Sequence, residues 1–466
     1  MLIQNIIHEI RLLSRSYWFL ALSLIFILLC LYAGYNGMTH HEFRTVELDQ
    51  AKAEQQELID NVFSVAQAVQ NGESPDNAYR LSPMNASIST GALAYMAPEP
   101  LNMFAIGQSD LYTHQIKISA REDIATLTFT EMSNPVQLLF GNFDLVFVFT
   151  YLIPLIIIAF TYNLQSQELE SGRLKLLASS PINPKIWLFQ RYLTRFLSIC
   201  FILGVINILL LLVLNADPDA RLTSMALATF AYLCFWFAVS FLVNVFGTTS
   251  GQNAVVLLSI WIVLVLIIPA TVNQQANSIY PTPSRVLLLN EIRETKKELS
   301  EEQDKVLAEY LRNHPELARN EGENRFAYWQ GFFASQEMME QSLSPLIEQF
   351  DTQLAKQSSW VNTWRFLSPA ILFQSSFTEL AGTSSRQYNE FKAGVKDFSI
   401  SWREFFMPMV FENRMLTISD LELLPSFEHQ VTVDRRFTST NLIALMAISG
   451  LLLAIGFRKQ QMLFQL

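Results

Sequence analysis

Two apolar runs, residues 143–161 and 196–214, enclose a charged stretch at 162–195, and each run is about as long as the hydrocarbon core of a bilayer requires. The stretch between them is therefore held to one membrane face. Its basic residues Arg173, Lys175, Lys185, Arg191 and Arg195 lie close to the membrane ends, where Lys and Arg bias a loop toward the cytoplasm. Within it, acidic residues precede a leucine cluster, and Pro181 and Pro184 then interrupt the pattern. That order predicts a short helix, a break and a return into the membrane.

The same reasoning along the chain gives an α-helical polytopic membrane protein with six transmembrane helices, at 17–35, 143–161, 196–214, 225–245, 253–270 and 438–457. Residues 1–16 place Ile3, Ile6, Ile7, Ile10 and Leu13 on one helical face, which suits a helix lying along the cytoplasmic surface. Arg458 and Lys459 open a cytoplasmic tail at 458–466. Two extracytoplasmic insertions remain, 36–142 and 271–437. In the first, 46–69 keeps helical spacing and extends the first span, while 115–119 and 125–130 alternate as strands do, so a mixed α/β domain is expected. The second reads as mainly helical. A Ser-x-x-Gln box at 300–303 predicts a helix start there, with Pro315 as its stop. The stretch 366–373 is apolar yet too short to span, which leaves it either at the outer membrane surface or packed within its domain.

A chain that is 51% hydrophobic and only 16% charged is neither an ordinary soluble protein nor all membrane. Its net charge of −10 argues against nucleic acid as a partner, because phosphate binding needs a basic surface. Cys30, Cys200 and Cys234 all fall in apolar runs, so no disulfide framework is expected. No G-x-x-x-x-G-K-[ST] loop occurs, hence any ATP is bound and hydrolysed by another chain. His40-His41 with Met38, and the scattered Met84, Met96, Met103 and Met132, lack metal-ligand spacing, and no metal site is expected.

Three polar or kinking positions in the spans stand out for gating or helix packing. Asp144 lies at the outer end of the second span, where it suits a helix cap. Pro154 frees a backbone carbonyl inside that span and makes either a static kink or a hinge. Asn207 suits a hydrogen bond to another helix.

The phrase E-x-E-S-G-R-L-x-L-L-x-S-x-P at 168–181 resembles the first cytoplasmic loop of ABC-2 type permeases, the membrane subunits of one class of ATP-binding-cassette transporters. It departs from the family at Arg173, where threonine is usual. The resemblance implies that this loop is the coupling helix that docks on the ATPase, with Glu168, Glu170, Ser171, Gly172, Arg173, Leu174 and Leu177 as coupling residues. It further implies a dimer of separate ATPase subunits carrying ATP and Mg, a second permease copy or a sister permease, and export from a bacterial inner membrane. The phrases at 107–112, 134–135, 141–145, 364–383 and 420–427 are similar to those of a subfamily with two large extracytoplasmic insertions, and they carry Gly107, Asp110, Asn134, Pro135, Gly141, Ser368, Pro369 and Pro425. Insertions of this size open an alternative, in which the complex transmits force to an extracytoplasmic protein partner and moves no solute. A receptor or scaffold embedded in membrane lipid and independent of any ATPase is a further one.

Overall fold

The computed structural model describes residues 2–107, 109, 112–121, 143–172, 184–214, 220–247, 249–317 and 325–463. Among them, six helices are long and apolar enough to cross a membrane: Tyr17–Gln70, Leu145–Glu170, Ile186–Leu209, Ala220–Phe246, Ser250–Ile279 and Arg435–Lys459. They are the first to sixth spans below. The chain is a mostly helical, multi-pass membrane protein.

The first span is one helix of 54 residues, about 80 Å at the rise of an α-helix. Ser16 caps it by accepting from Phe19 N–H. No proline interrupts 17–70, and the apolar spacing at 46–69 continues the helical face, so the rod leaves the apolar zone without a break. Gly37 lies on the side of this rod that meets the 3-10 turn Pro100–Phe104. A Cβ at Gly37 would sit 1.9 Å from the carbonyl oxygen of Met103, so only glycine allows the approach. We expect Gly37→Leu to destabilise the protein by about 1–3 kcal/mol through overpacking, seen as a lower melting temperature in detergent with the helix content kept.

The insertions fold together. In the first, strand Ala92–Tyr95 pairs antiparallel with Gln115–Ile118 in the register Ala92↔Ile118 to Tyr95↔Gln115. The strand at 115–118 is the one expected from alternation, and the second expected strand, 125–130, lies outside the described residues. Val62, Val65, Met84 and Ile118 share a core with Phe333, Phe391, Trp402 and Phe406 of the second insertion. Leu416 N–H donates to the Leu81 carbonyl at 2.9 Å across the same boundary. The two segments therefore build one joint domain around the upper half of the long first helix.

Helices Arg285–Glu301, Gln303–Asn313, Ala327–Trp364, Pro369–Ala381, Ser385–Phe411 and Ile418–Glu422 make the second insertion. The helix start expected at Ser300 is corrected here. Ser300 lies within Arg285–Glu301, and the next helix opens at Gln303 with no side-chain cap. Tertiary packing extends the earlier helix, because Ile292 and Leu299 pack with Met339, Leu343 and Ile347. Capping boxes do occur at Ser384 with Gln387 and at Thr417 with Asp420.

The loop expected at 162–195 is also shorter than its sequence suggested. Helix Pro184–Leu214 is continuous, with proline at its first position, where no N–H is needed, so 184–195 extends the third span. The stretch 366–373 divides between its two expected placements. Phe366 and Leu367 are exposed, whereas Leu372 and Phe373 are fully buried, and Phe373 stacks on Tyr232 of the fourth span at 4.6 Å.

Candidate functional site

The second and fifth spans share an irregularity that prepares the site. Each contains a π-helical turn, Val148–Leu152 and Ile262–Ile267, and in each the α-helix resumes with Ile-Pro, at Pro154 and Pro269. Proline has no N–H, so a carbonyl one turn earlier loses its donor. In the second span that carbonyl is Thr150, four residues before Pro154, and Tyr232 OH donates to it at 2.7 Å. In the fifth it is Leu264, which the π register places opposite Pro269, and Ser368 Oγ donates to it at 2.6 Å. Unpaired carbonyls are costly away from water, and these two hydroxyls remove the cost. Helix Pro369–Ala381 carries Phe373 against Tyr232, and Ser368 caps that helix by accepting from Ile371 N–H. Both kinks are therefore clamped by one short segment.

At the other end of the second span the chain turns through 162–165 into the short helix Ser166–Glu170. A helix end leaves carbonyls without intrahelical donors, and side chains from neighbouring helices take them here. Asn244 Nδ2 of the fourth span donates to the Thr161 carbonyl at 3.0 Å, and Asn253 Nδ2 of the fifth donates to Tyr162 at 3.1 Å. Arg191 of the third donates to Leu164 at 3.2 Å. Ser240 Oγ donates to Thr161 Oγ1 at 2.6 Å, and Tyr192 OH reaches the Ser240 carbonyl at 3.3 Å.

Arg191 also joins two carboxylates. Its Nη1 donates to Glu168 Oε1 at 3.1 Å, and its Nε lies 2.8 Å from Glu9 Oε1 of the amino-terminal helix Leu2–Arg15. All three side chains are only about one-tenth exposed, and the guanidinium lies over the Trp187 ring at 4.8 Å. The guanidinium lies between the two carboxylates and so lowers the cost of burying them. On the next turn, Glu170 accepts from Ser250 N–H at 2.6 Å and from Ser250 Oγ at 3.1 Å. This sets a carboxylate on the amino-terminal end of the fifth span, where the helix dipole favours it.

The short helix is thus held directly by the third span, through Glu168 and Arg191, and by the fifth, through Glu170 and Ser250. Arg191 links it on to Glu9 of the amino-terminal helix, and Asn244 of the fourth span holds the end of the second. The other side of the short helix is open: Gln167, Leu169, Glu170, Ser171 and Gly172 are exposed. Gly172 has φ +72°, a conformation that glycine adopts without strain.

The expected site residues fall into distinct places. Glu168 faces inward to Arg191, while Glu170 bridges to Ser250 and remains exposed. Arg173, Leu174 and Leu177 lie outside the described residues, as do Asp110, Asn134, Pro135 and Gly141. Asp144 is buried, and its carboxylate accepts from Phe147 N–H at 2.8 Å and from Gly107 N–H at 3.1 Å. It caps the second span and anchors the turn at Gly107, whose φ is +59°. Asn207 donates to its own helix, to Leu203 at 2.8 Å, rather than to another one. Pro425 lies in the extended segment after Ile418–Glu422. Glu9, Ser240, Asn244, Asn253 and Tyr232 were not expected as site residues. Of the two asparagines, Asn244 is isolated in an apolar run and carried a clue, since intramembrane amides pair with other helices, whereas Asn253 follows a polar turn and carried none.

Residues 285–430 match a family model described as a domain of unknown function, DUF3526. The matched segment is most of the second insertion. No curated protein matches the chain.

Proposed function

We propose that this chain is the membrane permease subunit of an ABC-2 type ATP-binding-cassette transporter, and that it couples ATP hydrolysis in a separate ATPase dimer to export. The observation that carries the reading is the short helix Ser166–Glu170, on which the family-like phrase begins at Glu168. This helix exposes one side and is bound on the other to the third and fifth spans, with Arg191 linking it to the amino-terminal helix and the turn before it held by the third, fourth and fifth spans. That is the arrangement a docking element needs. Closure of the ATPase dimer on ATP moves the helix, and the polar ties carry the motion to the third, fourth and fifth spans. In this reading the amino-terminal helix, the short helix and both chain ends are cytoplasmic, the joint domain of the insertions is extracytoplasmic, and a second copy or a sister permease completes the membrane unit in a bacterial inner membrane. ATP and Mg belong to the partner.

A specific observation favours force transmission as a second reading of the same coupling. The first span runs unbroken from the apolar zone into the joint core, where Val62 and Val65 are buried. Such a rod carries displacement to the outer domain, where it can act on a protein partner.

The test is capture of an ATP-binding-cassette ATPase co-expressed with the chain. Leu169→Asp and Gln167→Lys change only exposed side chains, so the melting temperature is expected to stay within about 0.5 kcal/mol equivalent of wild type, while capture and ATPase stimulation are lost. Capture that is unchanged by both substitutions overturns the docking assignment.

A further inference from the structure

An apolar groove of about 290 Å³ lies between the fourth, fifth and sixth spans, lined among others by Val243, Leu264, Leu367, Leu372, Leu445 and Leu452. The distance from Leu445 to Leu452 along the sixth span is about 10 Å at the helical rise. The lining is hydrocarbon almost throughout, and nothing in it offers a polar ligand a partner. Phe366, Leu367 and Pro369 also line the groove, next to Arg365 in the chain.

Arg365 is placed for a negatively charged group. Its Nε donates to Asn441 Oδ1 at 2.8 Å and its Nη1 to the Asn362 carbonyl at 2.6 Å, and its Nη2 has no hydrogen-bond partner among the described residues. The guanidinium lies over Phe366 at 4.5 Å and over Phe437 at 4.7 Å, so its position is fixed. Arg435 and Arg436, at the first turn of the sixth span, are exposed and make no ion pair among the described residues. Asp434, the acid next to them in the chain, accepts from Arg436 N–H and Phe437 N–H at 3.0 Å each. Around this basic mouth stand Tyr280, Trp360 and Trp364, with ring separations of 6.3 and 5.5 Å, and Trp364 and Phe366 are exposed. Aromatic rings of this kind gather at the headgroup level of a bilayer.

We infer that the groove is a phospholipid site, with one acyl chain between the three spans and the phosphate on Arg365, in the leaflet opposite the short helix Ser166–Glu170. The charge complements a phosphodiester, the lining complements an acyl chain, and the aromatic ring sets the depth at which the two meet. The inference rests on the six helices lying in a bilayer and not on any ATPase at the other end. Failure to capture an ATPase would leave it standing.

Native mass spectrometry of the full chain in detergent tests it, with phosphatidylglycerol and diacylglycerol of identical chains as probes. Wild type is expected to retain one phosphatidylglycerol about tenfold better than diacylglycerol, the effect of one charge-assisted hydrogen bond. Arg365→Gln should remove that preference. Val243→Phe, which fills the groove and leaves the arginine in place, should lower retention of both lipids. If Arg365→Gln proves unstable by melting, Arg365→Lys, which keeps the charge and loses the forked donors, serves as the headgroup variant and is expected to lower the preference for phosphatidylglycerol. Equal retention of the two lipids by wild type, or retention unchanged by Val243→Phe, overturns the assignment.

Discussion

Arg191→Ala is expected to destabilise the protein by about 3–5 kcal/mol, because it strands Glu9 and Glu168 as unpaired buried charges. The side chains of all three are about one-tenth exposed, so solvent offers little screening. The Leu164 carbonyl also loses its donor. Melting in detergent, followed by intrinsic fluorescence, measures the loss. The triple variant Glu9→Gln/Arg191→Met/Glu168→Gln removes the charges together, and buried ion pairs replaced by neutral groups of similar size are often close to neutral in stability. Recovery of most of the lost stability in the triple variant is therefore expected. If the single variant melts like wild type, the three groups are not joined as described.

The second large effect is expected at the proline kinks. Tyr232→Phe removes the donor to the Thr150 carbonyl and Ser368→Ala the donor to Leu264, each leaving a buried acceptor unsatisfied at a cost of about 1–3 kcal/mol. Both donors meet helix Pro369–Ala381, Tyr232 through Phe373 and Ser368 as its cap, so the double variant is expected to depart from additivity. A double-mutant cycle identifies the cause. Pro154→Ala restores an N–H to the second span, so Tyr232→Phe should cost less in the Pro154→Ala background than in wild type. An equal cost in both backgrounds would show that the hydroxyl acts through packing on Phe373 and not through the freed carbonyl.

Much of the architecture was legible in the sequence because its strongest physical constraint is local. A helix in lipid needs a continuous apolar run, and each of the six expected spans overlaps one of the six helices found. The extension of the first span into the insertion was legible for the same reason, from helical spacing without proline. Helix ends were less legible. Ser300-x-x-Gln303 has the form of a capping box, but Leu299 and Ile292 pack against Met339 and Leu343 and carry the earlier helix to Glu301, so the break falls inside the box and the next helix opens at Gln303. The polar ties were the least legible part. Glu168 reads as a surface acid from its neighbours, and only the return of Arg191 and Glu9 from distant positions turns it inward. Pro154 showed that a carbonyl would be freed, whereas the identity of its donor, Tyr232, depends on which helix packs there. The joint core of the insertions, with Val62 beside Phe391 and Trp402, depends on chain pairing across more than three hundred residues, which periodicity within either segment does not encode.

The measurement that tests the account most directly is a photo-crosslink from Leu169, the exposed apolar residue of the short helix, with Tyr328 on the exposed surface of the second insertion as the comparison. A photoreactive amino acid is placed at each position in turn, cells are irradiated, and the captured chains are identified by mass spectrometry. The account predicts that position 169 captures an ATP-binding-cassette ATPase and position 328 does not. Capture of no ATPase at position 169, or equal capture at both positions, would contradict it.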